Sequence, residues 1–165
     1  MYVVKWWVDA SFAVHHDMKS HTGGNGSLGK GSFYLTSTRQ KLNPRSSTEA
    51  ELLGIGDLMS MILWSRLWLQ EQGYNLGEQG YNLGPSTIHQ DNQTTMLMAK
   101  NGRRSYRKRT RHLNIRYYFV KEKIDSNDIE LKYCPTKNMI ADILTSSPND
   151  YGEWPSANSV ANCST

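Results

Sequence analysis

A chain of 165 residues is the size of one domain, long enough to close a single core without disulfides or a structural metal. Its 38% apolar content, with five Trp and nine Tyr, excludes a disordered chain; its two cysteines, Cys134 and Cys163, are far apart and lack cysteine partners at zinc-site spacing, which argues against a disulfide framework. The net charge of +4 is local: seven basic residues and no acid lie between Lys100 and Arg111, and with those set aside 12 basic residues face 15 acids, a pattern that suits a polyanionic partner as well as it suits a solvated loop.

In chain order, residues 2–12 (YVVKWWVDASF) are β-branched and aromatic and predict a strand. The run is too short for a signal h-region, and no apolar run reaches bilayer length, so a soluble, intracellular, cytoplasmic protein with no membrane partner is expected. Residues 13–26 are polar, end in Gly23, Gly24 and Gly26, and predict a loop. Residues 31–42 alternate and predict one or two antiparallel strands. Ser46 with Glu49, and Thr48 with Glu51, both fit capping-box spacing, and the apolar period that follows predicts a helix over 47–71. Gly54 and Gly56 inside it would permit close packing on a sheet. Residues 71–84 hold EQGYNLG twice in tandem and predict a lengthened loop. A strand over 86–91, a short helix over 92–100, a basic loop, a helix over 111–125, a strand over 129–134 and a short helix over 138–145 complete an α/β order, β-β-β-α-β-α-α-β-α. The domain is expected over 1–146, with 147–165 a disordered or diverged tail.

Four acids stand out. Asp9 interrupts an apolar strand, Glu49 opens the long helix, Asp91 ends a strand, and Asp142 sits among Ile140, Ala141, Ile143 and Leu144. A carboxylate among apolar residues is costly unless paired or metal-bound. Four drawn together from separate elements would repel one another and call for a hard divalent cation. Two residues in the set have local alternatives: Glu49 could serve the helix cap alone, and Asp91 could be an N-cap or turn residue.

The strings VDASF (8–12), SSTEAEL (46–52), HQDNQ (89–93), TRHLNIRYYF (110–119), LKYCPT (131–136) and ADILT (141–145) resemble, in order and spacing, the ribonuclease H domain of copia-type retrotransposon polyproteins. The resemblance covers roughly residues 3–145. It implies a ribonuclease H-like fold, a mixed five-stranded sheet with helices on both faces, and an endoribonuclease that cleaves the RNA strand of RNA–DNA hybrids during reverse transcription. Matched by motif, the catalytic and metal-holding acids are Asp9, Glu49, Asp91 and Asp142. Two Mg2+ ions are implied, with Mn2+ as a substitute. Gln93, with Asn92 beside it, matches a position that contacts base edges in the minor groove. Arg103, Arg104, Arg107, Lys108, Arg109, Arg111 and His112 fall where related enzymes bind the hybrid, and phosphate contacts there would make affinity salt-dependent. A reverse transcriptase domain of the same polyprotein is the implied partner, with a monomer expected in isolation and a virus-like particle as one setting. After ADILT the family continues Lys-Pro-Leu, where this chain reads SSPNDYGEWP.

Other readings compete. A catalytically impaired, nucleic-acid-binding relic of such a polyprotein would keep the same acids. Tyr106 and Trp64 are candidate stacking platforms, with a surface or core role the simpler alternative. Gly24, Gly29 and Lys30 fit a phosphate-loop spacing, but Gly31 follows and a strand pattern replaces the required helix. His15, His16, Asp17 and His21 have no cysteine nearby and are expected to be surface residues of a loop.

Overall fold

Large apolar side chains at Trp6 and Val8, continued by Ala10, set the inner face of the first strand, β1 (Lys5–Ser11), leaving Trp7 and Asp9 on the other face. The computed structural model describes residues 3–72, 83–101 and 111–145. Within them β2 (His21–Ser27) and β3 (Ser32–Arg39) pair antiparallel, β1 pairs antiparallel with β2, and β4 (Ser86–Gln90) and β5 (Ile129–Tyr133) continue in parallel from β1. The sheet order is β3-β2-β1-β4-β5. Among the described residues the helices are α1 (Ser47–Glu71), α2 (Gln93–Asn101), α3 (Arg111–Asp125) and α4 (Asp142–Thr145), and a 3-10 turn lies at Thr136–Asn138.

The expected α/β architecture, a mixed five-stranded sheet with helices on both faces, is what the chain forms. α1 lies across β1 and β2, and α2 and α3 pack beside it. Between them and the sheet, Trp6, Val8, Leu52, Leu53, Ile55, Met59, Ile62, Val120, Ile88 and Ile129 form the main core. α4 covers the opposite face, where Cys134, Met139 and Ala141 pack with Trp7.

β2 corrects the loop expected over 13–26. HTGGNGS has little strand propensity, yet all seven residues are buried. Its glycines are there for close approach: a Cβ at Gly23 would stand 2.8 Å from the Ala141 carbonyl oxygen and from Leu144 Cβ, and one at Gly24 would overlap Leu58. The two adjacent glycines thus let α4 and α1 settle on opposite faces of one strand. Gly23→Ala should cost about 1–3 kcal/mol through overpacking, since the atoms met include backbone. Urea unfolding at constant m-value checks this; a variant as stable as the parent would show that α4 is not seated tightly.

The 31–42 region makes one strand, the shorter of the two readings expected there. Two further expectations change. The helix expected over 138–145 shrinks to α4, because Met139 adopts an extended conformation between the 3-10 turn and Asp142. α1 is long and apolar enough by composition alone to cross a membrane, contrary to the reading that no such run exists, but half of its most apolar window is buried inside the fold. Gly54 does meet the sheet, at Thr22 and Val8, whereas Gly56 faces Arg116 of α3. Most of the EQGYNLG duplication (73–82), the basic segment from 102 to 110 and the tail from 146 onward lie outside the described residues. Leu83, at the end of the second copy, is in the main core.

Candidate active site

Parallel pairing of β1 with β4 places their C-terminal ends at one end of the sheet. Trp7 is level with His89, and two residues beyond each stand Asp9 and Asp91. α1 starts at the same end, and α4 brings Asp142 onto the face that carries Asp9.

The α1 acid that meets the Asp91 segment is Glu51; Glu49 faces the helix cap. Ser46 caps the helix in an extended conformation, its Oγ accepting the Glu49 amide at 3.3 Å, while Glu49 Oε2 accepts the Arg45 amide at 2.7 Å. Glu49 is therefore built into the cap. Two residues on, a helical side chain points to nearly the opposite side. Glu51 Oε2 accepts from Gln90 Nε2 at 2.8 Å and from the Thr95 hydroxyl at 3.1 Å, and Oε1 accepts from Asn92 Nδ2 at 3.2 Å. These donors come from β4 and the start of α2, the segment that carries Asp91, so the structure brings Glu51, and not Glu49, beside that segment.

The electrostatics tie the acids together. Burial raises the Asp9 pKa most; the Thr145 hydroxyl pulls it back and the charges of Asp91 and Asp142 push it up again. Burial lifts Glu51 to about 7 against the hydrogen bonds from Asn92 and Thr95, with Asp91 and Asp9 adding repulsion. Asp142, exposed at the start of α4, is raised by partial burial and by Asp91. Asp9, Glu51, Asp91 and Asp142 thus form one coupled set.

Neighbouring donors hold these carboxylates: Thr145 donates to Asp9, and Thr136 Oγ1 donates to Asp91 at 3.0 Å. Among the described residues no three Asp, Glu, His or Cys side chains are drawn together tightly enough to hold a metal ion as they stand. The chemistry of the donor set nevertheless fits a hard divalent cation: four carboxylates, oxygen donors throughout, with three pKa values raised by burial and mutual repulsion that a cation would relieve.

Other expected site residues fall differently. Gln93 is exposed at the first position of α2. Asn92 is the cap of that helix, its Oδ1 accepting from the amides of Thr94 and Thr95 while its Nδ2 holds Glu51, so both ends of the side chain are engaged. Arg103, Arg104, Tyr106, Arg107, Lys108 and Arg109 lie outside the described residues, as do the side chains of Arg111 and His112 at the start of α3. Trp64 is exposed but stacks on Trp68 with ring centroids 6.3 Å apart. It sits about 20 Å further along α1 than Glu51. His21 is not a surface residue: it opens β2 and is 4% exposed. Gln90, Thr136 and Thr145, which hold the acids, lie inside the strings HQDNQ, LKYCPT and ADILT but are not singled out within them, and Thr95 lies in none of the strings.

No protein-family model matches the chain. By sequence it is similar to the retrovirus-related Pol polyprotein from transposon TNT 1-94 of Nicotiana tabacum, 28% identical over 144 residues, which are 87% of this chain and 10% of that protein. The chain spans about a tenth or less of the length of the curated relatives it matches. By structure it is similar to LC11-RNase H1, isolated from compost by a metagenomic approach, with a TM-score of 0.57, 13% identity and coverage of 92% of this chain and 99% of that one. It is also similar to the foamy viral protease-reverse transcriptase solved with an RNA/DNA hybrid, with a TM-score of 0.55, 13% identity and coverage of 87% of this chain and 19% of that one.

Proposed function

We propose that this chain, which has the ribonuclease H fold and transposon Pol polyproteins among its sequence relatives, is a metal-dependent endoribonuclease acting on the RNA strand of RNA–DNA hybrids during retrotransposon reverse transcription. The observation that carries this reading is the coupled set of Asp9, Glu51, Asp91 and Asp142 at one end of the sheet. Those four residues would hold two Mg2+ ions, or Mn2+ in their place. The chemistry such ions supply when bound is activation of water and neutralisation of charge on the departing oxygen.

The chain's own groups do the rest. Gln90, Asn92 and Thr95 fix both oxygens of Glu51, and Thr136 orients Asp91. Gln93, exposed two residues after Asp91, would face the wide minor groove of a near-A-form hybrid, where 2′-hydroxyls and base edges are displayed. The basic residues from Lys100 to Arg111 would grip phosphates, which makes binding independent of sequence and sensitive to salt. A reverse transcriptase domain of the same polyprotein would deliver the hybrid.

The deciding experiment incubates a hybrid labelled on its RNA strand with the chain in Mg2+ and, separately, in a chelator, beside duplex DNA of the same sequence. RNA-strand cleavage that needs the metal and spares the duplex is the expected result. Hybrid binding with no cleavage in either Mg2+ or Mn2+ would overturn it in favour of a binding relic.

A further inference from the structure

α4 is four residues long, too short to hold itself together, and the carbonyls of its last residues have no partners within the helix. Hydroxyls from two strands take them. Ser37 Oγ, on β3, donates to the Leu144 carbonyl at 2.7 Å, and Ser11 Oγ, at the end of β1, donates to the Thr145 carbonyl at 2.7 Å. Gly23 on β2, between those strands, has no side chain to lift α4 away. Leu144 and Thr145 are 2% and 1% exposed.

Behind Ser37 lies a directional chain. Its one hydroxyl proton is committed to Leu144, so the 2.8 Å contact with His21 Nε2 requires His21 to be the donor there. His21 Nδ1 is then an acceptor, which makes His15 Nε2, 3.0 Å away, the donor to it. Burial and the nearby His15 lower the His21 pKa to about 4, which keeps the ring neutral and the chain in this sense. Donors aligned head to tail polarise one another and strengthen the last bond, the one onto α4.

We propose that Ser11, Ser37 and His21 are positioning residues that clamp α4 across β3, β2 and β1 and so set Asp142 in register with Asp9. The proposal rests on the nuclease reading only for its effect on turnover; the clamp itself is a statement about α4. None of the three is asked to touch substrate.

The test compares the parent chain with Ser37→Ala, Ser11→Ala and the hydroxyl-retaining Ser37→Thr. The first readout needs no metal and no activity: amide hydrogen exchange at Asp142 and Leu144, whose N–H groups bond to Met139 and Ala141. In either alanine variant that exchange should accelerate roughly fivefold or more while amides of β1 and β4 keep their protection, and Ser37→Thr should restore it. The second readout is hybrid cleavage, where kcat should fall in the alanine variants with KM unchanged. Unchanged exchange at α4, or acceleration spread evenly over the sheet, overturns the clamp. A parent chain that cleaves no hybrid overturns the nuclease reading, and the exchange data still decide the clamp.

Discussion

Glu51→Gln should lower kcat for hybrid cleavage roughly a thousandfold with hybrid binding unchanged, whereas Glu49→Gln should cleave as the parent does. The two residues are two helical steps, a little over half a turn, apart and serve different ends. Glu51 lies among donors from β4 and α2 and feels the charges of Asp91 and Asp9. Glu49 accepts the Arg45 amide at the start of α1, a task that a glutamine oxygen performs equally well. In Glu51→Gln one of two carboxylate oxygens becomes an amide NH2, which cannot bind a cation and which faces the Asn92 Nδ2 donor. Turnover should therefore collapse while the fold persists. Steady-state kinetics on a labelled hybrid, with binding measured separately in a chelator, would check both variants. The opposite pattern, cleavage lost in Glu49→Gln and kept in Glu51→Gln, would return the site to the assignment suggested by the sequence motif.

That reversal shows where sequence reading stops. The capping spacing of Ser46 and Glu49 was legible, and so was the alternative that Glu49 serves only the cap; what spacing could not say is which of two acids two residues apart faces the sheet end, because that depends on how α1 is rotated against β1 and β2. Asp9 and Asp142 stood out as candidates because each interrupts an apolar run, and Asp91 because it ends a strand; the parallel β1–β4 register, which runs to Trp7 and His89, leads to Asp9 and Asp91 two residues on. β2 was not legible, because HTGGNGS is shaped by what packs on it: Gly23 and Gly24 are small where α4 and α1 press on the two faces. The same holds for His21, read as a surface histidine in a loop and found buried at the start of β2. Local propensity is a weak prior wherever tertiary contact sets the residue's size. The groups that restrain the acids, Thr95, Thr136 and Thr145, are ordinary side chains made functional by contacts that span 44 or more residues of sequence.

Without divalent metal, the chain should lose stability as pH rises from about 5 to 8, and Mg2+ should restore most of that loss at the alkaline end. The sign follows from Glu51. Its folded pKa is raised to about 7 from 4.5, chiefly by burial, so the folded chain holds that proton more tightly than the unfolded one. The contribution is complete below the unfolded value and disappears as pH climbs through the folded one, leaving a buried, repelled carboxylate. Asp9 and Asp142 are shifted in the same direction. For Glu51 alone the difference is on the order of 3 kcal/mol, or roughly 10 °C in Tm. A bound cation neutralises the same charge, so proton and metal compete: cleavage should rise with pH across 7 and its midpoint should move to lower pH as Mg2+ is increased. Thermal melts over that range, with and without Mg2+, provide the check, and Glu51→Gln is the control because it removes the titration and should flatten the slope. A parent slope equal to that of Glu51→Gln, or one that Mg2+ leaves untouched, would mean that the acids at the sheet end do not act as one site.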